Sequence, residues 1–350
     1  MKLRSMTCAL ALSMAASTAL AAAQPGAQQG QGQQGDGQQT FRAPAGASPA
    51  MAAPAPAGKR INRAIEMLLK GQPVYYQQVS GGGYDDGRRH AATKADYILY
   101  DMEHGLFDLK ELREYMRGLV DAGLTRTGHR SPTVIATLPL QGTDYTSVRT
   151  NIWMIQQALA TGIHGILLVQ AESPEGVKAF VEASRYPFAP EVKGLIKGNR
   201  GSGSQQYASQ IWGITQNEYL RRADVWPANP DGELMLGIKI ENPRAVTRAE
   251  ELTLVPGMAF AEWGPGDQGF YLVGRPGGPG VPNNTTAQPS MVAARARVLA
   301  ATKAAGIKFL NACSEATVVE QIREGTMICT GGDSPAADVG RAFTKRTDPF

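Results

Sequence analysis

Three ionisable residues fall within four positions directly after a short apolar run. The run is YILY at 97–100, and the ionisable residues are Asp101, Glu103 and His104. Because such a run is typical of a buried strand, these side chains are expected where that strand ends. A histidine held by carboxylates can move a proton near neutral pH. The alternative is a hydrogen-bonded structural histidine, and the segment alone leaves both open.

Two more carboxylates follow later apolar runs. Glu241 closes the run at 234–241, and Asp267 follows the run at 257–264. Two carboxylates that converge raise each other's pKa unless a cation lies between them. Oxygen ligands suit Mg²⁺ or Mn²⁺, which keep positions open for water and substrate oxygens. The pair therefore predicts a divalent-metal site, and the alternative is a pair of solvated or salt-bridged surface groups.

Eight strand-like runs must position these residues, and segments with helical spacing separate most of them. This alternation favours a closed (β/α)8 barrel over an open sheet. In such a barrel the chemistry lies at the carboxyl ends of the strands, where the acidic residues and the histidine fall. Two long glycine-rich stretches, 193–232 and 264–290, are predicted to be loops on that same face. The predicted strands are 73–79, 96–101, 132–138, 165–170, 234–241, 257–264, 307–311 and 327–332.

The first 58 residues are not expected to belong to the barrel. Lys2 and Arg4 precede an apolar stretch and a run of small residues, which predicts a secretory signal peptide over 1–23. Its apolar stretch is too short to favour a membrane span. Residues 24–58 are rich in Gln, Gly, Ala and Pro, so they predict a disordered linker. The barrel domain then covers 59–350, and the mature protein is predicted to be exported, either periplasmic or secreted.

Charge and cysteine content exclude some classes and leave one question open. The formal net charge of +4 is small and the basic residues are scattered, so neither nucleic acid nor an acidic membrane is indicated as a partner. Cys8 lies in the predicted signal peptide, which leaves Cys313 and Cys329. In an oxidising compartment these two can pair, but both lie in or beside apolar runs, where a buried free thiol is equally consistent.

Four segments in order along the chain carry a family resemblance. They are YILYDMEHG at 97–105, GILLVQAESPEGVKAFVEASRYP at 165–187, GIKIENPRAV at 237–246 and FAEWGPGDQG at 260–269. They resemble the D-x-E-H signature, the fourth-strand segment, the fifth strand and the G-P-x-D loop of the HpcH/HpaI (class II, metal-dependent pyruvate) aldolase/citrate lyase-like family. The resemblance runs from Ile61 to Arg341 and implies a TIM barrel of the phosphoenolpyruvate/pyruvate-binding superfamily type.

The resemblance also implies roles for individual residues. Glu241 and Asp267 would hold a divalent ion, Mg²⁺, Mn²⁺ or Co²⁺, that chelates the carboxylate and keto oxygen of a 2-oxo acid. His104 would move the proton as a carbon–carbon bond to an aldehyde is made or broken, with Asp101 orienting it and Glu103 either supporting the residues that contact the metal or facing the substrate. The cation stabilises the enolate where its charge develops, so no Schiff base is needed. The family's hexameric assembly is a further expectation.

The chain departs from the family pattern at two positions. The family usually has an arginine at the end of the third strand, whereas VIATLPL here places Thr137 or Leu138 there. The family commonly has glutamine where this chain has Lys239, which strand alternation puts on the same face as Glu241. We hypothesise that Lys239 supplies the missing positive charge; the alternative is that it only pairs with a carboxylate. Weaker candidates for that charge are Arg149, Arg200 and Arg275.

The sequence thus predicts an exported, metal-dependent carbon–carbon lyase of the aldolase type. The missing arginine keeps two alternatives open. One is a relative that retains the metal and the base but catalyses another reaction on a small oxo or hydroxy acid. The other is a non-catalytic barrel that binds a ligand.

Overall fold

The structure, a computed structural model, describes residues 59–350 and contains a closed parallel β-barrel; the predicted signal peptide and linker lie outside the described residues. Eight strands close in the order β1-β2-β3-β4-β6-β7-β8-β9, because β9 pairs back with β1 and β4 pairs with β6. The predicted (β/α)8 class and its eight strands are confirmed. The strands are β1 (Val74–Val79), β2 (Tyr97–Asp101), β3 (Thr133–Gln141), β4 (Gly165–Val169), β5 (Val225–Trp226), β6 (Leu234–Ile240), β7 (Phe260–Trp263), β8 (Lys308–Asn311) and β9 (Thr326–Thr330).

Helices cover the outside of the barrel, and side-chain caps begin several of them. Asp108 accepts a hydrogen bond from the backbone of Glu111, and Ser173 caps the helix that Pro174 opens. The helices are α1 (Arg63–Leu69), α2 (Tyr84–His90), α3 (Leu109–Asp121), α4 (Tyr145–Thr150), α5 (Ile152–Ala160), α6 (Pro174–Ser184), α7 (Gln205–Trp212), α8 (Gln216–Arg222), α9 (Pro243–Thr247), α10 (Ala249–Thr253), α11 (Pro265–Leu272), α12 (Pro289–Ala305), α13 (Val318–Glu324) and α14 (Pro335–Phe343), with a 3₁₀ turn at Thr285–Ala287.

Side chains alternate along each strand between the barrel interior and the layer beneath the helices. Near the carboxyl ends of β2, β6 and β7, this alternation places Asp101, Lys239 and Glu262 inside the barrel. The register of β6 and β7 places Lys239 directly opposite Glu262. The amino-terminal and middle parts of the interior are instead aromatic and aliphatic, with Tyr76, Tyr97, Leu99, Ile135, Leu167, Met235, Phe260 and Leu310 buried there.

The prediction that 193–232 is a loop on the catalytic face is wrong. This stretch contains α7, α8 and β5, and it connects the end of α6 to the start of β6, which is the opposite face of the barrel. Trp212 accordingly donates a hydrogen bond of 2.8 Å to the carbonyl of Gly162, just before β4. The reason is that a connection from a helix to the next strand returns to the amino ends of the strands. The stretch 264–290 follows β7 and does start at the carboxyl end, but it contains α11 and the 3₁₀ turn, so the prediction of a loop throughout is wrong.

One further sequence question is answered by the fold. Cys313 and Cys329 form a disulfide, which joins the segment after β8 to β9. Within residues 59–350, no helix has the length and apolar character needed to cross a bilayer.

Candidate active site

Three carboxylates converge at the carboxyl end of the barrel. Glu103 comes from the loop after β2, Glu241 follows β6, and Asp267 lies in the first turn of α11; one oxygen from each lies within 4.8 Å of the others. Gly264 makes room for them, because a Cβ there would lie 2.6 Å from Oε2 of Glu241. Three hard oxygen donors at this separation fit Mg²⁺ or Mn²⁺ and repel one another without a cation.

Glu241 is the most deeply buried of the three carboxylates, so a bound cation would stabilise its charged form. Glu241 is 4% exposed. Burial raises its pKa to about 8, although Lys239 and a backbone hydrogen bond from Gln170 act in the opposite direction. Removal from water disfavours the charged form, so a buried carboxylate gains more from a bound cation than an exposed one does.

Gln170 holds two of the three converging carboxylates in place. Its backbone N–H donates to Glu241 at 2.9 Å, and its side-chain amide donates to Asp267. Asn242 in turn donates to the Gln170 side-chain oxygen at 2.8 Å and to Glu172 at 2.9 Å. Gln170 has a φ of +47°, a conformation that costs energy for a residue with a side chain. Sequence reasoning missed the role of the Gln170 side chain.

Asp101 and His104 form a hydrogen-bonded pair beside these carboxylates. The His104 Nδ1 to Asp101 Oδ2 distance is 2.8 Å, and Asp101 is buried whereas the His104 side chain is 63% exposed. Although burial opposes ionisation of Asp101, hydrogen bonds from Thr137 and His104 hold its pKa below the ordinary value. The bond to Asp101 raises the pKa of His104 despite partial burial. Nε2 is therefore the ring nitrogen that remains for proton transfer.

Thr137 is one of the two positions where the family resemblance leads us to expect an arginine. It faces the interior, whereas Leu138 packs into the outer core. The Thr137 hydroxyl donates to Asp101 at 2.7 Å, so it supports the Asp101–His104 pair and brings no charge. Arg200 does not replace the arginine, because its guanidinium packs on the rings of Tyr186 and Tyr219 on the side of the molecule formed by α7 and α8.

Lys239 is the buried cation of the site. It is 8% exposed, and Nζ donates to Oε2 of Glu103 at 2.5 Å. Burial would lower its pKa, but Glu262, Glu241 and Glu103 together raise it above the ordinary value, so the ammonium stays charged. Its place beside Glu241 on the interior face is the one that strand alternation predicts.

Glu262 is a site residue that sequence reasoning missed. It lies opposite Lys239 on β7, and its Oε2 is buried without a hydrogen-bond partner in the described part of the chain. Burial raises the pKa of Glu262 to about 7, with Lys239 opposing the rise. The signal was present in the sequence, because alternation from Phe260 along β7 places Glu262 inside the barrel.

Sequence similarity links this chain to two bacterial proteins of the same enzyme name. Hydroxypyruvate/pyruvate aldolase from Cupriavidus necator is 26% identical over 218 residues, which are 62% of this chain and 66% of that protein. The enzyme of the same name from Roseovarius nubinhibens is 25% identical over 221 residues, which are 63% and 72% of the two chains. The first of these matches therefore spans just under two thirds of the relative's length.

Solved structures give the same fold. An HpcH/HpaI aldolase/citrate lyase family protein from Burkholderia cenocepacia superposes with a TM-score of 0.57 at 23% identity, over 74% of this chain and 87% of that one. The HpcH/HpaI aldolase from Desulfitobacterium hafniense gives 0.56 at 21% identity, over 81% and 95%. Residues 88–332 match the family model named HpcH/HpaI aldolase/citrate lyase, and this range includes the Asp101–His104 pair and all three converging carboxylates. The chain belongs to the HpcH/HpaI aldolase/citrate lyase family.

Proposed function

We propose that the protein is a divalent-metal-dependent carbon–carbon lyase that cleaves a 4-hydroxy-2-oxo acid into a 2-oxo acid and an aldehyde. The observation that carries the proposal is the convergence of Glu103, Glu241 and Asp267 within 4.8 Å of one another, next to the Asp101–His104 pair. The names of the relatives suggest pyruvate or hydroxypyruvate as the 2-oxo acid. Mg²⁺, Mn²⁺ and Co²⁺ all fit an oxygen donor set.

The residues of the site divide the reaction between them. Glu241 and Asp267 would hold the cation, with Glu103 as a third oxygen donor, and the bound ion would polarise the keto oxygen of the substrate. His104 Nε2 accepts the proton of the C4 hydroxyl, the C3–C4 bond breaks, and the aldehyde leaves. The electron pair of that bond passes into the enolate, which takes a proton at C3 to give the 2-oxo acid. Asp101 holds Nδ1 and stabilises the imidazolium.

Lys239 supplies the positive charge that Thr137 lacks. The ammonium is buried and permanently charged, so it can offset the negative charge that develops on the enolate. Its bond to Glu103 at 2.5 Å supports the alternative as well, in which Lys239 only balances the carboxylates. Lys239→Met separates the two: a fall in kcat for cleavage supports the first, and unchanged turnover with a metal-loaded site supports the second.

The test of the function is pyruvate release from a panel of 4-hydroxy-2-oxo acids by the full chain, before and after chelation and readdition of Mg²⁺, Mn²⁺ or Co²⁺. We expect release that depends on metal and falls by about 10²-fold or more in His104→Ala, the range for loss of a general base. His90→Ala is the matched control, because His90 lies at the end of α2, contacts the hydroxyl of Tyr115 on α3 and is outside the site. Metal-independent release, or equal loss in both variants, would contradict the proposal.

One observation favours a second candidate function. Thr137 leaves the third strand without a charged donor, so the barrel could hold its metal and catalyse another reaction on a small oxo or hydroxy acid. Tight Mn²⁺ binding with no pyruvate release from any member of the panel would support this candidate. A protein that neither binds metal nor loses a function with His104 would be a non-catalytic binding barrel.

Export and assembly remain separate proposals. The disulfide between Cys313 and Cys329 supports an oxidising compartment, either the periplasm or the medium, because such bonds rarely persist in the cytosol. We also propose a hexamer, on the family resemblance alone. Secretion of the full chain by its host and its mass in solution test these two proposals.

A further inference from the structure

Glu103 takes part in two interactions that compete for the same carboxylate. It belongs to the group of three that can hold a cation, and it also accepts the hydrogen bond from the Lys239 ammonium. The bond to Lys239 occupies Oε2 of Glu103. A cation at Glu241 and Asp267 therefore gains Glu103 fully only if Lys239 gives it up.

Release of Glu103 would leave the buried Lys239 ammonium without its carboxylate partner. The side chain is 8% exposed, and a buried ammonium that loses its partner is strongly destabilising. Asp101 cannot take the ammonium, because its two oxygens already accept hydrogen bonds from Gln78, Thr137 and His104.

Glu262 is the carboxylate that is free to take it. It lies opposite Lys239 in the register of β6 and β7. Among the carboxylates of residues 59–350, Glu262 is the one with a buried oxygen that has no hydrogen-bond partner. Buried polar atoms are nearly always paired, so an unpaired oxygen within the field of a buried ammonium calls for a physical role.

We propose that Glu262 is a positioning residue that receives the Lys239 ammonium when Glu103 turns to a divalent cation at Glu241 and Asp267. The inference rests on the metal site of the proposed function. In the metal-bound arrangement three carboxylates face the cation, and Lys239 and Glu262 form a neutral pair beneath it. The exchange keeps Lys239 charged and in the interior, where it can face the reacting keto group.

The test is Mn²⁺ affinity by titration calorimetry of the full chain, which does not depend on turnover. We expect Glu262→Gln to weaken binding about tenfold or more, because Glu103 can then leave Lys239 only by stranding a buried ammonium. In a Lys239→Met background no ammonium needs a partner, so adding Glu262→Gln should change the affinity by less than about twofold. Glu320→Gln removes the same charge from an exposed helix and should leave binding unchanged.

Two outcomes would overturn the inference while leaving the metal site intact. One is wild-type Mn²⁺ affinity in Glu262→Gln. The other is an equal loss from Glu262→Gln with and without Lys239, because Glu262 would then act only through its own charge. A wild-type chain that binds no Mn²⁺ would overturn the metal site and this inference together. Glu103→Gln provides a second cycle: it abolishes the exchange, so Glu262→Gln added to it should have little further effect, and a tenfold further loss would also contradict the exchange.

Discussion

The two ends of the barrel interior follow the same alternation with opposite chemistry. Toward the amino end, Tyr76 and Tyr97 stack with ring centroids 5.1 Å apart, and Leu99 and Phe260 are buried around them. The next interior side chain after Leu99 on β2 is that of Asp101. The amino-terminal half gains stability from apolar burial, whereas the carboxyl half places charges where burial costs free energy. The second half is therefore built for chemistry at the expense of stability.

The largest expected effect follows from a change at the charged end. Asp101→Asn keeps the shape of the side chain but removes the charge that orients His104 and stabilises its imidazolium. We expect kcat for cleavage to fall by about 10²-fold or more. Because Asp101 raises the pKa of His104, the acidic limb of the kcat/KM profile should also move to lower pH in the variant. Steady-state kinetics across pH measures both, and an unmoved acidic limb would exclude His104 as the titrating base.

A change two residues earlier on the same strand should affect stability instead. Leu99→Ala removes a buried side chain from the apolar half and should lower the free energy of unfolding by about 2–5 kcal/mol. The folded variant should keep the wild-type pH profile and Mn²⁺ affinity, because no charge at the carboxyl end changes. Denaturant unfolding measures the free energy of unfolding and calorimetry measures the Mn²⁺ affinity. Both are compared between Leu99→Ala and Asp101→Asn, which lie on the same strand. A large loss of kcat in folded Leu99→Ala would mean that the two halves are not separable.

The sequence predicted the barrel better than it predicted the electrostatics of its mouth. The strands were found because apolar runs and turn residues are local signals, and Asp101, Glu103, His104, Lys239, Glu241 and Asp267 all lie at the predicted end. Sequence could not show that Lys239 pairs with Glu103, because the two are 136 positions apart and that pairing depends on side-chain conformations. It also could not show that Gln170 takes a positive φ or that Thr137 bonds Asp101.

Two misses have a more specific cause. Glu262 lies within an apolar run that predicts a strand. Alternation from Phe260 is the one sequence signal that places its side chain inside the barrel. The glycine-rich composition of 193–232 predicts a loop but does not show on which face of the barrel it lies. Its position after α6 determines the face, since every helix-to-strand connection in this fold runs to the amino ends of the strands.

The smallest expected effect is a pH dependence of stability that arises from the charged end alone. Burial raises the pKa of Glu241 to about 8 and of Glu262 to about 7. At pH values between the ordinary pKa of a glutamate and these raised values, the folded chain therefore binds more protons than the unfolded chain. Stability should therefore be greatest below about pH 4.5 for these two groups and decline as pH rises toward 8.

Melting curves in chelator from pH 5 to 8 measure this decline, which is at most about 1.4 kcal/mol per pH unit for each of the two groups. Glu262→Gln should flatten part of the slope, whereas Leu99→Ala should lower the whole curve without changing its shape. Mn²⁺ should restore stability most at pH 8, where Glu241 is ionised and gains most from a cation. A decline that survives both Glu262→Gln and Mn²⁺ would come from another group with a raised pKa, such as His104, and would remove the link between the buried carboxylates and the metal; the lowered pKa values of His129 and Glu66 make stability rise with pH instead.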